Sequence, residues 1–132
     1  MSEAKEVVQG FYGAFARGDV PSALGLLAPD VEWTEAERSP YFGGTWRGLD
    51  AIVSGLFQRL GADFEGFAAA PGEFVSEGDR VVVLGNYSGR AKTSGRELAA
   101  PFVHSWTVEN GKLKRFVQYT DTALWMEALG RG

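Results

Sequence analysis

Residues 101–122, PFVHSWTVENGKLKRFVQYTDT, decide the fold of this chain. β-rich sequence lies on both sides of Asn110-Gly111, a dipeptide typical of tight turns, so the stretch predicts a β-hairpin. Its first strand carries His104, the one histidine in the sequence, among aromatic residues. An imidazole in such surroundings is either a satisfied core residue or the polar group of an apolar pocket.

Two registers of this hairpin are open. A three-residue loop over 109–111, with Gly111 in the left-handed conformation, would pair His104 with Phe116, whereas a two-residue turn would pair it with Val117. We favour the three-residue loop. It puts one set of aromatic and polar side chains on the same face: Phe102, His104, Trp106, Phe116 and Gln118.

Helices are predicted ahead of the strands. Apolar residues recur at helical spacing over 3–17, Pro21 suits the first turn of a short second helix, and Asp50 suits the N-cap of a third that runs to about Leu60. A strand over 31–35 and an aromatic loop over 39–48 separate the second helix from the third.

The second half reads as consecutive strands. β-rich runs cover about 64–76, 79–91, 96–109 and 112–120, with turn residues between several of them. Helices first and antiparallel strands later predict an α+β fold, in which a curved sheet wraps over the N-terminal helices. A length of 132 residues predicts one domain over 1–132.

Composition bears on the partner, the compartment and the chemistry. The formal charge of -4 argues against nucleic acid as a partner. No apolar run approaches the length of a membrane span, and the N-terminal residues lack a signal core, so we expect no membrane partner and a cytoplasmic protein. With no cysteine and one histidine, neither thiol catalysis nor a metal site is expected.

Three polar residues are candidates for catalysis. His104 has an ordinary pKa of ~6.5 and could exchange a proton near neutral pH. Gln118 could orient a substrate carbonyl or a water molecule by hydrogen bonding. Glu35 shares a strand face with Trp33, and burial beside rings would raise its pKa into a useful range. The residues expected to shape a substrate pocket are Trp33, Tyr41, Phe57, Tyr87, Phe102 and Trp106.

Five segments carry a family resemblance, in this order: VVQGFYGAFARGD (7–19), LLAPDVEW (26–33), GTWRGLDAI (44–52), EGDRVVVLGNYSG (77–89) and FVHSWTVENGKLKRFVQYTDT (102–122). With them the whole chain resembles the SnoaL-like branch of the nuclear transport factor 2-like superfamily, which includes ketosteroid isomerases and polyketide cyclases. The resemblance implies a cone-shaped α+β barrel, an apolar cavity closed by the helices, and a homodimer formed through the sheet.

Individual positions depart from the family's patterns. The resemblance places Phe11 where steroid isomerases carry a helical tyrosine, and Trp33 where they carry a base aspartate, so steroid isomerisation is disfavoured. Polyketide cyclases share a histidine at His104, but their catalytic acid falls at Gln118, whose amide cannot transfer a proton at neutral pH.

These observations leave functions of different classes. The first is a cofactor-independent isomerase, cyclase or hydratase that acts on a hydrophobic carbonyl compound through proton transfer by His104. The second is a noncatalytic module for hydrophobic-ligand binding or dimerisation, which the loss of both carboxylate positions favours. A protein-transport adaptor like the superfamily's namesake is a third and weaker hypothesis.

Overall fold

The computed structural model describes residues 3–131, in which helices precede and follow a six-stranded sheet. The elements are α1 (Glu3–Ala16), α2 (Val20–Gly25), β1 (Leu27–Thr34), β2 (Thr45–Arg47), α3 (Leu49–Ile52), a π-helical turn (Val53–Phe57), α4 (Gln58–Asp63), β3 (Phe64–Glu77), β4 (Arg80–Ala91), β5 (Glu97–Glu109), β6 (Lys112–Thr120) and α5 (Thr122–Ala128). The predicted α+β class is confirmed, and the four long strands begin and end close to their predicted bounds.

The sheet is mainly antiparallel and is not closed. Its strand order is β2-β1-β6-β5-β4-β3, and β1 runs parallel to β6 while the other neighbours are antiparallel. Register shifts interrupt the ladders between β3 and β4, between β5 and β6, and between β1 and β6. Because each bulge bends its strand and increases the local twist, the sheet curves and presents a concave face to the helices.

Helix α1 lies on this concave face and contacts β3, β4, β5 and β6. Its buried side chains include Val8, Phe11 and Tyr12, which follow one another at helical spacing. The spacing of apolar residues over 3–17 predicts a buried face made of Val7, Val8, Phe11 and Phe15, without Tyr12. In the structure Val7 and Phe15 are half-buried and Tyr12 is buried, so the stripe is turned toward Tyr12.

The segments around the second and third helices differ from the prediction. Strand β1 begins at Leu27 and runs through Pro29, which falls where its pairing with β6 is irregular and no ladder hydrogen bond needs the missing N–H. The third helix is capped by Gly48, with Asp50 in its first turn rather than at the N-cap, and it contains the π-helical turn. None of the helices within 3–131 is long and apolar enough to cross a membrane.

The turn of the decisive hairpin has two residues. Asn110 and Gly111 both have positive φ angles, 53° and 73°, and Glu109 pairs with Lys112. Positive φ at both central positions is the type I′ geometry, whose twist matches that of the flanking strands. The favoured three-residue loop is therefore wrong.

A bulge in β6 decides which side chains of the hairpin face inward. Lys114 has no partner on β5, so one extra residue enters the register and His104 pairs with Gln118, not with Phe116 or Val117. The shift from the favoured register is two residues, and side chains alternate with a period of two. The predicted set of inward side chains is therefore confirmed although each predicted partner is wrong.

Candidate functional site

A small cavity lies between α1, the helical segment 49–63 and the concave face of the sheet. Its volume is about 50 Å³, which is room for a few water molecules. Aromatic rings form most of its wall. The polar side chains that reach it are Tyr12, Glu35, Tyr87, His104 and Gln118.

His104 sits in the wall of this cavity with 4% of its surface exposed. Strand alternation turns it inward from β5, and its ring stacks on Phe102 with 3.8 Å between centroids. Both ring nitrogens are engaged: Nδ1 with the hydroxyl of Tyr12, and Nε2 with the hydroxyl of Tyr87 at 2.5 Å. Burial lowers the pKa of His104 well below its ordinary value, so the imidazole is neutral at pH 7.

Tyr12 lines the cavity beside His104 and is absent from the residues predicted from the sequence. Besides its bond to His104, its hydroxyl oxygen accepts a hydrogen bond from Trp106 Nε1 at 3.0 Å, and burial raises its pKa. The family resemblance matches the helical tyrosine of steroid isomerases to Phe11, which is one residue earlier on the helix. The available signal was the spacing of four residues from Val8, which puts Tyr12 on the inward face of α1.

Gln118 holds the other end of this network. Its Oε1 accepts from the backbone N–H of Ala36 at 3.0 Å, and its Nε2 donates to the Tyr87 hydroxyl at 2.8 Å. Because a backbone N–H can only donate, the orientation of the amide is fixed. Gln118 therefore positions Tyr87, and burial raises the pKa of that tyrosine well above its ordinary value.

Glu35 is the ionisable side chain of the cavity whose pKa lies near neutrality. It follows the end of β1, is 6% exposed, and accepts hydrogen bonds from Trp33 Nε1 at 2.9 Å and from Ser39 Oγ at 3.4 Å. Burial raises its pKa to about 7, against the smaller opposing effect of these two donors. The predicted sharing of a face with Trp33, and the predicted rise in pKa, agree with this geometry.

Glu35 and Gln118 also line an open groove on the outside of the sheet, together with residues of β1 and β6 such as Thr34 and Val117. The same two side chains therefore face the inner cavity and the outer groove. They form the partition between the two spaces.

The structure brings together most, but not all, of the predicted pocket residues. Trp33, Phe57, Tyr87 and Trp106 line the cavity with the three catalytic candidates. Phe102 packs behind the imidazole instead of lining the cavity. Tyr41 lies outside it, where its hydroxyl donates to an aspartate, Asp63, at 2.8 Å and its ring meets Trp125 edge-on.

Phe102 owes its place to a glycine on the neighbouring strand. Gly85 of β4 pairs with Phe102, and a Cβ at Gly85 would lie 2.5 Å from Cζ of that ring. A larger residue would therefore displace the ring on which His104 stacks.

The chemistry available in the cavity is proton exchange and hydrogen bonding. A carboxyl of pKa about 7 faces a space that tyrosine hydroxyls and aromatic rings also line. Within the described part of the chain, no three His, Cys, Asp or Glu side chains cluster closely enough to hold a metal ion.

Comparison with known proteins identifies the family. An NTF2-like protein from Burkholderia thailandensis is 34% identical in sequence, with a TM-score of 0.91 over 98% of each chain. An NTF2-like protein of unknown function from Burkholderia pseudomallei is 37% identical, with a TM-score of 0.88 over 98% of each chain. No curated protein matches the chain.

A third solved structure is that of TerC, co-crystallised with polyporic acid. TerC is 32% identical, with a TM-score of 0.86 over 98% of this chain and 99% of its own. A sequence model of the SnoaL-like domain matches residues 8–116, which is most of the chain. The protein therefore belongs to the SnoaL-like family, within the NTF2-like fold.

Proposed function

We propose that this protein is an enzyme of the isomerase or cyclase type that moves a proton on a hydrophobic carbonyl compound held in the aromatic cavity. The observation that carries the proposal is Glu35, a buried carboxyl with a pKa of about 7 that faces the cavity. A group with this pKa is about half ionised at neutral pH and can both take and return a proton.

In the proposed reaction Glu35 takes a proton from the carbon next to the carbonyl group. Negative charge then develops on the carbonyl oxygen, and a tyrosine hydroxyl from Tyr12 or Tyr87 stabilises it by hydrogen bonding. The Glu35 carboxyl afterwards returns the proton to the same or another carbon. The apolar wall strengthens both interactions because it keeps water away.

His104 and Gln118 take different roles from those expected from the sequence. Because burial keeps His104 neutral, its ionisation falls outside the neutral range, and we assign the acid–base step to Glu35 instead. Both nitrogens of His104 and both polar atoms of Gln118 are already bonded within the protein. These two residues position the tyrosine hydroxyls.

The ligand is proposed to be aromatic or otherwise apolar. Rings of Trp33, Phe57 and Trp106 would pack against it, and the relative TerC was co-crystallised with polyporic acid. A cavity of about 50 Å³ is far below the usual ~300–1,000 Å³ of a ligand site, so side chains must move when a ligand of that size enters.

The proposed assembly is a homodimer formed through the outer face of the sheet. Leu84, Val103 and Tyr119 pair in one row across β4, β5 and β6, and Leu84 and Tyr119 are 39% and 60% exposed. Such a row of apolar side chains suits a second copy of the chain. Sedimentation of the wild type against a Leu84→Glu, Tyr119→Glu variant tests the dimer, and a monomeric wild type would exclude it.

Hydrogen–deuterium exchange tests the enzymatic proposal. We would incubate the protein with 2-tetralone, an aromatic ketone with acidic C–H bonds, in heavy water and follow loss of the proton signals by NMR. The wild type should accelerate exchange, and Glu35→Gln should lower the protein-dependent rate by about 10²–10⁴. Glu37→Gln, an exposed carboxylate two residues away, should leave the rate unchanged. An unaltered rate in Glu35→Gln would rule out the assigned base.

Noncatalytic ligand binding is the second candidate function. The saturation of His104 and Gln118 by hydrogen bonds inside the protein favours it, because neither side chain is free to react. In that case polyporic acid should quench the fluorescence of the cavity tryptophans, with an affinity that Glu35→Gln leaves intact, and 2-tetralone should exchange no faster than in buffer.

A further inference from the structure

The network around His104 has two fixed ends. Trp106 Nε1 carries a proton and can only donate, so the Tyr12 oxygen is an acceptor on that side. The Gln118 amide is oriented by Ala36, so its Nε2 donates to the Tyr87 oxygen. Neither tyrosine can therefore place its own proton on these outer partners.

Between the two ends there are two bonds to make and three protons to make them. Each tyrosine hydroxyl brings one proton, and a neutral imidazole brings one N–H. If Nε2 carries the proton, it donates to Tyr87, and Tyr12 donates to Nδ1. If Nδ1 carries the proton, it donates to Tyr12, and Tyr87 donates to Nε2. In both cases the tyrosine that accepts from the imidazole keeps an unused O–H.

We propose that the Tyr12–His104–Tyr87 chain offers the cavity a single free hydroxyl proton, and that His104 moves this proton from one tyrosine to the other by changing its tautomer. Among the described residues, neither tyrosine hydroxyl has another acceptor, and both tyrosines line the cavity. The unused O–H is therefore available to a ligand oxygen.

The change of tautomer can carry a proton without creating charge. A ligand hydroxyl gives its proton to the Tyr12 oxygen while the Tyr12 proton passes to Nδ1. The Nε2 proton passes to the Tyr87 oxygen, and the Tyr87 proton passes to an acceptor oxygen on the ligand. Each tyrosine oxygen loses one proton and gains one, and the imidazole loses one at Nε2 and gains one at Nδ1, so every protein group stays neutral. The ligand loses a proton at its hydroxyl oxygen and gains one at its carbonyl oxygen, so the two groups exchange positions.

This arrangement specifies a ligand class, an inference that rests on the proposed function. The ligand would carry a hydroxyl donor and a carbonyl acceptor on one conjugated frame, as in an enolised dicarbonyl or a hydroxyquinone. The proton count itself rests on the hydrogen-bond geometry and on a neutral imidazole.

Few titratable groups near the imidazole could change the number of protons in the Tyr12–His104–Tyr87 chain. The titratable side chains bonded to the imidazole are Tyr12 from α1 and Tyr87 from β4, and burial raises the pKa of both, which keeps them protonated. Glu35, beyond β1, raises the pKa of Tyr87 further. The other faces of the imidazole meet the rings of Phe102 and Phe116.

Nitrogen NMR of the imidazole tests the proposal without any ligand. Because the sequence contains one histidine, protein labelled with ¹⁵N-histidine gives a single pair of ring signals. In the wild type we expect a neutral ring at about pH 6.5, where an exposed histidine would be half protonated. An imidazolium at neutral pH would overturn the proposal, since two N–H groups would leave both tyrosine protons free.

Two matched variants then test the coupling of tautomer to tyrosine. In Tyr12→Phe the ring proton should lie on Nε2, where Tyr87 accepts it, and in Tyr87→Phe it should lie on Nδ1, where Tyr12 accepts it. A buried N–H without an acceptor is costly, so the tautomer ratio should differ between the variants by more than about tenfold. The same tautomer in both variants would refute the coupling.

Two controls distinguish a change of tautomer from loss of folding and from loss of catalysis. Circular dichroism checks that each variant folds, and if one does not, the protonation state of the wild type still decides the proton count. Failure of the proposed function would appear as absent 2-tetralone exchange with the two tautomers still trapped. Failure of the present inference would appear as normal exchange with no change of tautomer.

Discussion

Replacing Glu35 with glutamine should change the way stability depends on pH. Burial raises the pKa of this carboxyl from 4.5 to about 7 in the folded protein. Between these values the folded protein holds a proton that the unfolded chain has released, so stability falls as the pH rises through this window. A difference of about 2.5 pH units corresponds to about 3 kcal/mol of unfolding free energy.

The glutamine variant cannot lose that proton and should not suffer this loss. We expect the unfolding free energy of Glu35→Gln, relative to wild type, to rise by about 3 kcal/mol between about pH 4 and about pH 8. His104 acts in the opposite direction, because its lowered pKa removes stability as the pH falls below about 6.5. That effect is present in both proteins and cancels in the difference.

Urea unfolding followed by circular dichroism at several pH values measures this difference. Glu37→Gln is the control, because the Glu37 side chain is exposed and its removal should give a difference that is nearly flat with pH. A difference between Glu35→Gln and wild type that is equally flat would refute the reasoning. It would mean that the carboxyl of Glu35 ionises in the folded protein as it does in the unfolded chain.

Further substitutions probe the packing around the site. Gly55→Ala should cost about 1–3 kcal/mol in urea unfolding, because its Cβ would lie 2.2 Å from the Trp46 ring, whereas Gly61→Ala in α4 meets no atom within 4 Å and should stabilise slightly. Asn110→Gly should leave the free energy of unfolding nearly unchanged, whereas Asn110→Ala should lower it by about 1 kcal/mol. The reason is that φ at this position is 53°, which glycine adopts easily and alanine does not. Tyr41→Phe should lower the free energy of unfolding by about 1 kcal/mol because a hydrogen bond is lost. It should leave the protein-dependent exchange rate of 2-tetralone unchanged, because Tyr41 lies outside the cavity wall.

The strands could be predicted from their composition, and their inward face was kept because the error of register is an even number of residues. The turn is one residue shorter than predicted, and the bulge at Lys114 was not predicted. Together they shift the pairing of β5 with β6 by two residues, which leaves the same side chains facing the cavity. His104 and Gln118 were therefore placed on the cavity side correctly. The bulge itself leaves no local mark in the sequence, because it depends on how the curved sheet fits the helices.

The network and its charge states could not be predicted in the same way. Tyr12 and His104 are 92 residues apart in sequence, and their contact depends on how α1 crosses the sheet. Phe11 and Tyr12 are adjacent on the helix, and helical spacing alone does not predict which of the two side chains contacts the imidazole. The neutrality of His104 follows from complete burial, which a lone strand cannot reveal.

The partition formed by Glu35 and Gln118 has a consequence for traffic through the protein. Glu35 lines both the inner cavity and the open groove, so the groove offers its carboxyl a route to solvent that does not cross the cavity. Under the proposed function, the proton that Glu35 takes from a ligand can therefore exchange with solvent on the groove side while the ligand stays in the cavity.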